Sequence, residues 1–146
     1  MSALLAATPL IALDGIAFDL DTTSDDATSA RITRIGVARI RKGKLVPQAQ
    51  SFRLVQAGEA PLPEEAEFNG LGHLKRDTFT SLEKLLEAFE AYVGNELLVG
   101  HNIAFDIFVL RSEYTRQNRT WPNLAAIDVR RLARLVAPAL SSDGLI

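Results

Sequence analysis

The run Ile16-Ala17-Phe18-Asp19-Leu20-Asp21-Thr22-Thr23 is apolar up to Leu20 except for Asp19. That is the pattern of a buried strand carrying one functional acid. Asp19 and Asp21 are two apart, so on an extended backbone their side chains leave from the same face. Two carboxylates this close repel when both are ionised, unless a cation neutralises them. The run has an answer far downstream in Gly100-His101-Asn102-Ile103-Ala104-Phe105-Asp106, which follows a second short apolar strand at Leu97 to Gly100. Asp106 then falls in the first turn of a helix, where the positive end of the helix dipole favours a carboxylate. Each motif is weak alone. A DxDT stretch is commonly a turn or a cap, His101-Asn102 fits a helix cap, and Asp106 fits a solvated helix position. Their combination at the ends of two core strands is what carries weight, because open α/β sheets place ligands there. Hard oxygen donors suit Mg²⁺ or Mn²⁺. A two-metal site activates an attacking water and stabilises a leaving oxygen. Metal-assisted phosphate chemistry is therefore the leading expectation, with Asp19, Asp21 and Asp106 as candidate metal ligands.

Outward from these motifs, Thr22 to Ala30 is small and polar and is expected to be a loop. Ile32 to Ile40 alternates and is rich in β-branched residues, Arg41-Lys42-Gly43-Lys44 signals a turn, and Leu45 to Val55 supplies a partner strand. Gln56 to Pro63 is a Gly/Pro-punctuated loop, and Glu64 to Leu74 is partly helical. Thr80-Ser81-Leu82-Glu83 fits a capping box with Thr80 as N-cap. Leu82, Leu85, Leu86, Phe89 and Val93 then lie at helical spacing up to Gly94. A helix from Ala104 to Gln117 is expected to bury Phe105, Phe108, Val109 and Leu110. Leu124 to Ile127 is a candidate last strand, followed by a helix from Val129 to Val136. The order β-β-β-α-β-α-β-α predicts an α/β fold, a mixed sheet flanked by helices.

The chain has 146 residues, 47% of them hydrophobic and 23% charged, enough to bury one core and unlike a disordered or membrane protein. Its apolar runs are too short to span a bilayer, and the N-terminal one lacks a basic flank, so residues 1–14 are expected to be a short N-terminal segment rather than a signal peptide. The absence of cysteine excludes disulfides, thiolate zinc sites and thiol nucleophiles, and is compatible with a cytoplasmic location. A net charge of −2 gives no global basic footprint for duplex DNA. Arg130, Arg131 and Arg134 cluster on one helix, with Arg111, Arg116 and Arg119 near in sequence, and a solvated helix face explains them as well as nucleic acid does.

With these residues in place, the chain from Ile16 to Leu135 resembles the DEDD 3′–5′ exonuclease superfamily, which includes the proofreading subunit of bacterial DNA polymerase III. Asp19-Leu20-Asp21-Thr22-Thr23 is similar to the family's D-x-E-T-T. Ile32 to Ile40 resembles its I-x-x-I-G-A-V strand, and Phe68-Asn69-Gly70-Leu71 its "HGI" stretch. His101, Asn102, Phe105 and Asp106 match H-N-x-x-F-D, the most specific signal. Ile127-Asp128-Val129-Arg130-Arg131-Leu132-Ala133-Arg134 resembles D-T-x-x-L-A-R. The resemblance implies a ribonuclease-H-like fold and a divalent metal, Mg²⁺ or Mn²⁺, on Asp19, Asp21 and Asp106. It also implies contacts to the terminal nucleotide near Thr22 and Thr23, a pocket shaped by Asn102 and Phe105, and a strand–helix turn supported by Asp128. The implied partner is single-stranded nucleic acid or a 3′ end, with a polymerase-type partner or a fused C-terminal domain open.

Two departures stand out. The family's Glu is Asp21 here, which retracts the carboxylate by roughly 1.5 Å, against a ligand tolerance of about ±0.2 Å. The family's third motif, a His shortly before a last Asp, has no counterpart: Asp143 has Pro138 where H-x-x-x-x-D needs its His. Residues 15–146 are therefore expected to be an incomplete exonuclease-like domain lacking the catalytic C-terminal helix, a fragment or a naturally shortened version with weak or no hydrolysis. A non-catalytic nucleic-acid-binding or regulatory domain on the same fold is the alternative. A haloacid-dehalogenase-like phosphatase, whose first motif D-x-D-x-[TV] also fits, is a lesser one, since no later Gly-Asp-x-x-x-Asp exists.

Overall fold

A computed structural model describes Pro9, residues 12–55 and residues 79–136, with no side-chain detail for 48–55, 79 and 136. The N-terminal segment before Pro9, the loop at 56–63, the helical stretch at 64–74 with its Phe68–Leu71 match, and Asp143 lie outside the described residues.

Three strands form an antiparallel unit: β1 (Gly15–Thr22), β2 (Ile32–Arg41) and β3 (Lys44–Val55). Lys42 and Gly43 both have positive φ, 50° and 68°, the conformation that a two-residue hairpin turn needs. Two contacts from the residues before β1 hold that turn: Lys42 N donates to Asp14 Oδ1 at 2.8 Å and Gly43 N to Leu13 O at 2.8 Å. β4 (Phe79–Thr80) runs parallel to β3 at the far edge. On the other side of β1 lie two short parallel strands, β5 (Leu98–Gly100) and β6 (Ala126–Asp128). Among the described residues the sheet order is β4-β3-β2-β1-β5-β6, with β1 interior.

The helices are α1 (Leu82–Val93), α2 (Ala104–Arg116) and α3 (Val129–Val136). α1 buries Leu85, Leu86, Phe89 and Val93 at the spacing read from the sequence and stops at Gly94, φ 55°. Its N-cap is Ser81, whose side chain accepts from Lys84 N, and not Thr80 as expected. Thr80 is drawn instead into the β4 pairing with Val55.

The core lies on one face of the sheet. Ile16, Phe18 and Leu20 of β1 and Ile35 and Val37 of β2 point into it, against α1 and α2. Phe18 and Phe89 meet ring to ring at 5.6 Å. α2 corrects one expectation: Phe108 is 49% exposed. The buried stripe of this helix runs through Asp106, Val109, Leu110, Glu113 and Tyr114. Two of those five are acids, so hydrophobicity alone misplaces the stripe. Glu113 is buried because it serves the loop after β1, accepting from Arg31 Nε at 2.6 Å and contacting Arg116 Nη1 at 3.2 Å. No helix among the described residues is long and apolar enough to cross a membrane.

Candidate active site

The strand alternation that buries Phe18 and Leu20 turns Ala17, Asp19 and Asp21 to the opposite face. Register then decides what each acid meets. Ala17 lies opposite Ala38, Asp19 opposite Gly36, and Asp21 opposite Arg34. Gly36 leaves open space beside Asp19. Arg34 is a charged cross-strand neighbour of Asp21, and its Nε forms an ion pair with Asp21 Oδ2.

Asp106 comes from α2. β5 pairs with β1 only at Ile16 and Ala17, so the β1 edge beyond is without a strand partner on that side. Asp106 covers part of it: its Oδ1 accepts from Leu20 N at 3.1 Å. That places the carboxylate, 6% exposed, beside the acid-bearing end of β1. The approach of β5 and α2 to β1 is close. A Cβ on Gly100 would stand 2.6 Å from Phe18 O and 3.1 Å from Ile103 Cδ1, so only glycine fits there.

The electrostatics follow. Burial, with Asp19 and Asp21 adding repulsion, pushes Asp106 up to about 6, although the Leu20 amide works against this. Asp19 is exposed at the rim, yet partial loss of water and then the Asp21 charge raise its carboxyl, while Arg34 and His101 pull it down. Carboxylates from two distant chain segments thus act on one another.

The remaining predicted residues divide. Thr22 Oγ1 donates to Ser24 O at 2.8 Å, and Thr23 Oγ1 accepts from Arg31 N at 3.0 Å, so both hydroxyls are engaged in shaping the loop. Asn102 is exposed with φ 52°, and its N donates to Asp128 Oδ1 at 3.0 Å. The N-cap of α2 is Ile103 without a side-chain cap, so neither His101 nor Asn102 caps it. Asp128 Oδ1 also accepts from Arg130 N at 2.9 Å, tying the β5 and β6 ends together as a turn support. Phe105 is partly buried against the core. Sequence reasoning gave no role to Arg34 or Glu113. Alternation from Ile32 to Ile40 places Arg34 on the outer face with Gly36 and Ala38, and that was the available signal for it.

Whether the site suits a divalent cation has a divided answer. The donors are carboxylate oxygens, the type that hard cations prefer. Among the described residues, however, no three His, Asp or Glu side chains are arranged to hold a metal ion. Asp21 is turned to Arg34, and one oxygen of Asp106 accepts from Leu20 N. The donor chemistry fits such a cation, while Asp21 is engaged by Arg34 in this structure.

An exonuclease family of the RNase T type matches residues 16–145. A PolC-type DNA polymerase III of Streptococcus pyogenes is 26% identical over 130 residues, which cover 89% of this chain and 9% of the polymerase. The chain thus spans about a tenth of the length of such relatives. E. coli exonuclease I in complex with a dT13 oligonucleotide has a TM-score of 0.68 at 15% identity, covering 90% of this chain and 31% of that one. A zinc-bound E. coli exonuclease I–ssDNA complex also superposes at 0.68 and 15% identity, covering 90% of this chain and 30% of that one. These likenesses show the ribonuclease-H-like fold.

Proposed function

Because the chain belongs to the exonuclease family, within the DEDD 3′–5′ exonuclease superfamily, we propose that it is a metal-dependent domain that binds single-stranded nucleic acid at a 3′ end and hydrolyses the terminal phosphodiester. The observation that carries this reading is the convergence of Asp19, Asp21 and Asp106, with Asp106 held against β1 through Leu20 N. These three carboxylates would hold Mg²⁺ or Mn²⁺ once Asp21 is released from Arg34. Once bound, such a cation supplies Lewis-acid polarisation of the phosphate and a more acidic water. The chain's own residues do the positioning. Leu20 N fixes one oxygen of Asp106 and leaves the other for a cation. Gly36, opposite Asp19, keeps space open for a phosphate. The loop after β1, pinned by Arg31 to Glu113, holds Thr22 and Thr23 beside the terminal nucleotide. Asn102 and Phe105 border that nucleotide from the start of α2.

The test is Mn²⁺ titration by calorimetry with the whole chain. Asp19→Ala abolishes binding; equal binding by wild type and variant refutes the site. A second reading has its own support. The ion pair of Asp21 with Arg34 favours a binding or regulatory domain that grips nucleic acid without cutting it. Oligonucleotides labelled at the 3′ end separate the two: mononucleotide release in Mn²⁺ supports the exonuclease, and retention without release supports the binder. In the cytoplasm the domain would act on 3′ ends alongside a polymerase-type partner, as the PolC-type relatives suggest.

A further inference from the structure

Arg34 stands between two uses. Its side chain is 38% exposed and forms an ion pair with Asp21 through Nε. Arg34 also lines a cavity of about 410 Å³ with Asp19, Gly36, His101 and Val129, on the outer face of the sheet. A guanidinium is a planar fork that grips a phosphate through two parallel hydrogen bonds. An ion pair this exposed is weak, on the order of 1 kcal/mol or less, so an anion in the cavity can displace Asp21 from it. The same pair blocks the third carboxylate of the cation site described above.

We infer that Arg34 is a phosphate-binding residue whose resting partner is Asp21. In the free chain it neutralises Asp21 and weakens cation binding. A phosphate monoester or diester entering the cavity takes over the guanidinium, and Asp21 is released to the cation. Anion and cation then bind with positive coupling, and by linkage each raises the affinity of the other by the same factor. No bond is made or broken in this exchange. The inference rests on the proposed metal site at Asp19, Asp21 and Asp106.

The test uses the whole chain and Mn²⁺ titration by calorimetry, with and without saturating thymidine 5′-monophosphate as the phosphate probe. Wild type binds Mn²⁺ weakly alone and about 5-fold more tightly with the nucleotide. Arg34→Gln removes the competitor. It binds Mn²⁺ alone about 5-fold more tightly than wild type, by the same weak-pair scale, and loses most of the nucleotide effect. Arg34→Lys keeps the charge without the fork and stays near wild type for Mn²⁺ alone. Circular dichroism of each variant confirms folding, which an outer-face substitution leaves intact. If Arg34→Gln binds Mn²⁺ like wild type, or keeps the full nucleotide effect, the inference is overturned. Asp19→Ala separates this failure from failure of the site itself. Binding lost in Asp19→Ala but unchanged in Arg34→Gln removes the role of Arg34 and leaves the metal site standing. Binding unaffected by Asp19→Ala removes both.

Discussion

Replacing Asp106 by asparagine stabilises the metal-free chain above pH 6. Asp106 is 6% exposed. Burial and the neighbouring Asp19 and Asp21 hold its carboxyl at about 6, against an ordinary value of 3.8. Below pH 4 the group is protonated both folded and unfolded. Between about pH 4 and 6 the unfolded chain releases its proton and the folded chain keeps it. The unfolded state therefore binds fewer protons there, and stability falls as pH rises through that window. At about 1.4 kcal/mol for each pH unit separating the two values, the loss amounts to about 3 kcal/mol by pH 7. That figure already contains the Leu20 N hydrogen bond, which favours the charged form. Asparagine keeps an oxygen for Leu20 N and carries no charge. Urea unfolding in EDTA at pH 4 and pH 8 measures the effect. The stability difference between variant and wild type moves by about 3 kcal/mol in the variant's favour across that range. A difference that stays constant with pH, or a variant less stable at pH 8, refutes the reasoning. The same substitution removes a candidate metal ligand, so stability and cation binding change in opposite directions.

Two further outcomes follow from packing. Thr33 is 1% exposed and its Oγ1 has no hydrogen-bond partner among the described residues, so Thr33→Val raises the urea midpoint, worth about 1 kcal/mol; a lower midpoint contradicts this. Gly100→Ala brings a Cβ to 2.6 Å from Phe18 O and costs about 1–3 kcal/mol, since neither β1 nor β5 can shift without breaking their pairing. An unchanged melting temperature refutes that close approach.

Much of this fold is legible along the chain because its signals are local. The turn at Lys42-Gly43, the helix from Leu82 to Gly94, and the shared face of Asp19 and Asp21 each follow from the chemistry of a few consecutive residues. Elsewhere a distant partner decides. β4 is two residues long and exists through its pairing with β3, which moves the α1 cap from Thr80 to Ser81. The buried stripe of α2 takes in Asp106 and Glu113, each bonded through one carboxylate oxygen to a group more than eighty residues away in sequence. Phe108 is left outside it.

The sequence by itself determined that Asp19 and Asp21 share one face of a strand end and that Asp106 falls in the first turn of a helix, because side-chain direction follows from backbone period. Only the tertiary structure decided what those acids are doing. β1 and β2 are joined through a loop at residues 23–31, too long to fix register by turn geometry, and the packing of Phe18 and Leu20 with Val37 and Ile35 sets it instead. That register puts Gly36 across from Asp19 and Arg34 across from Asp21. One acid is left open and the other is held by a cation of the chain's own.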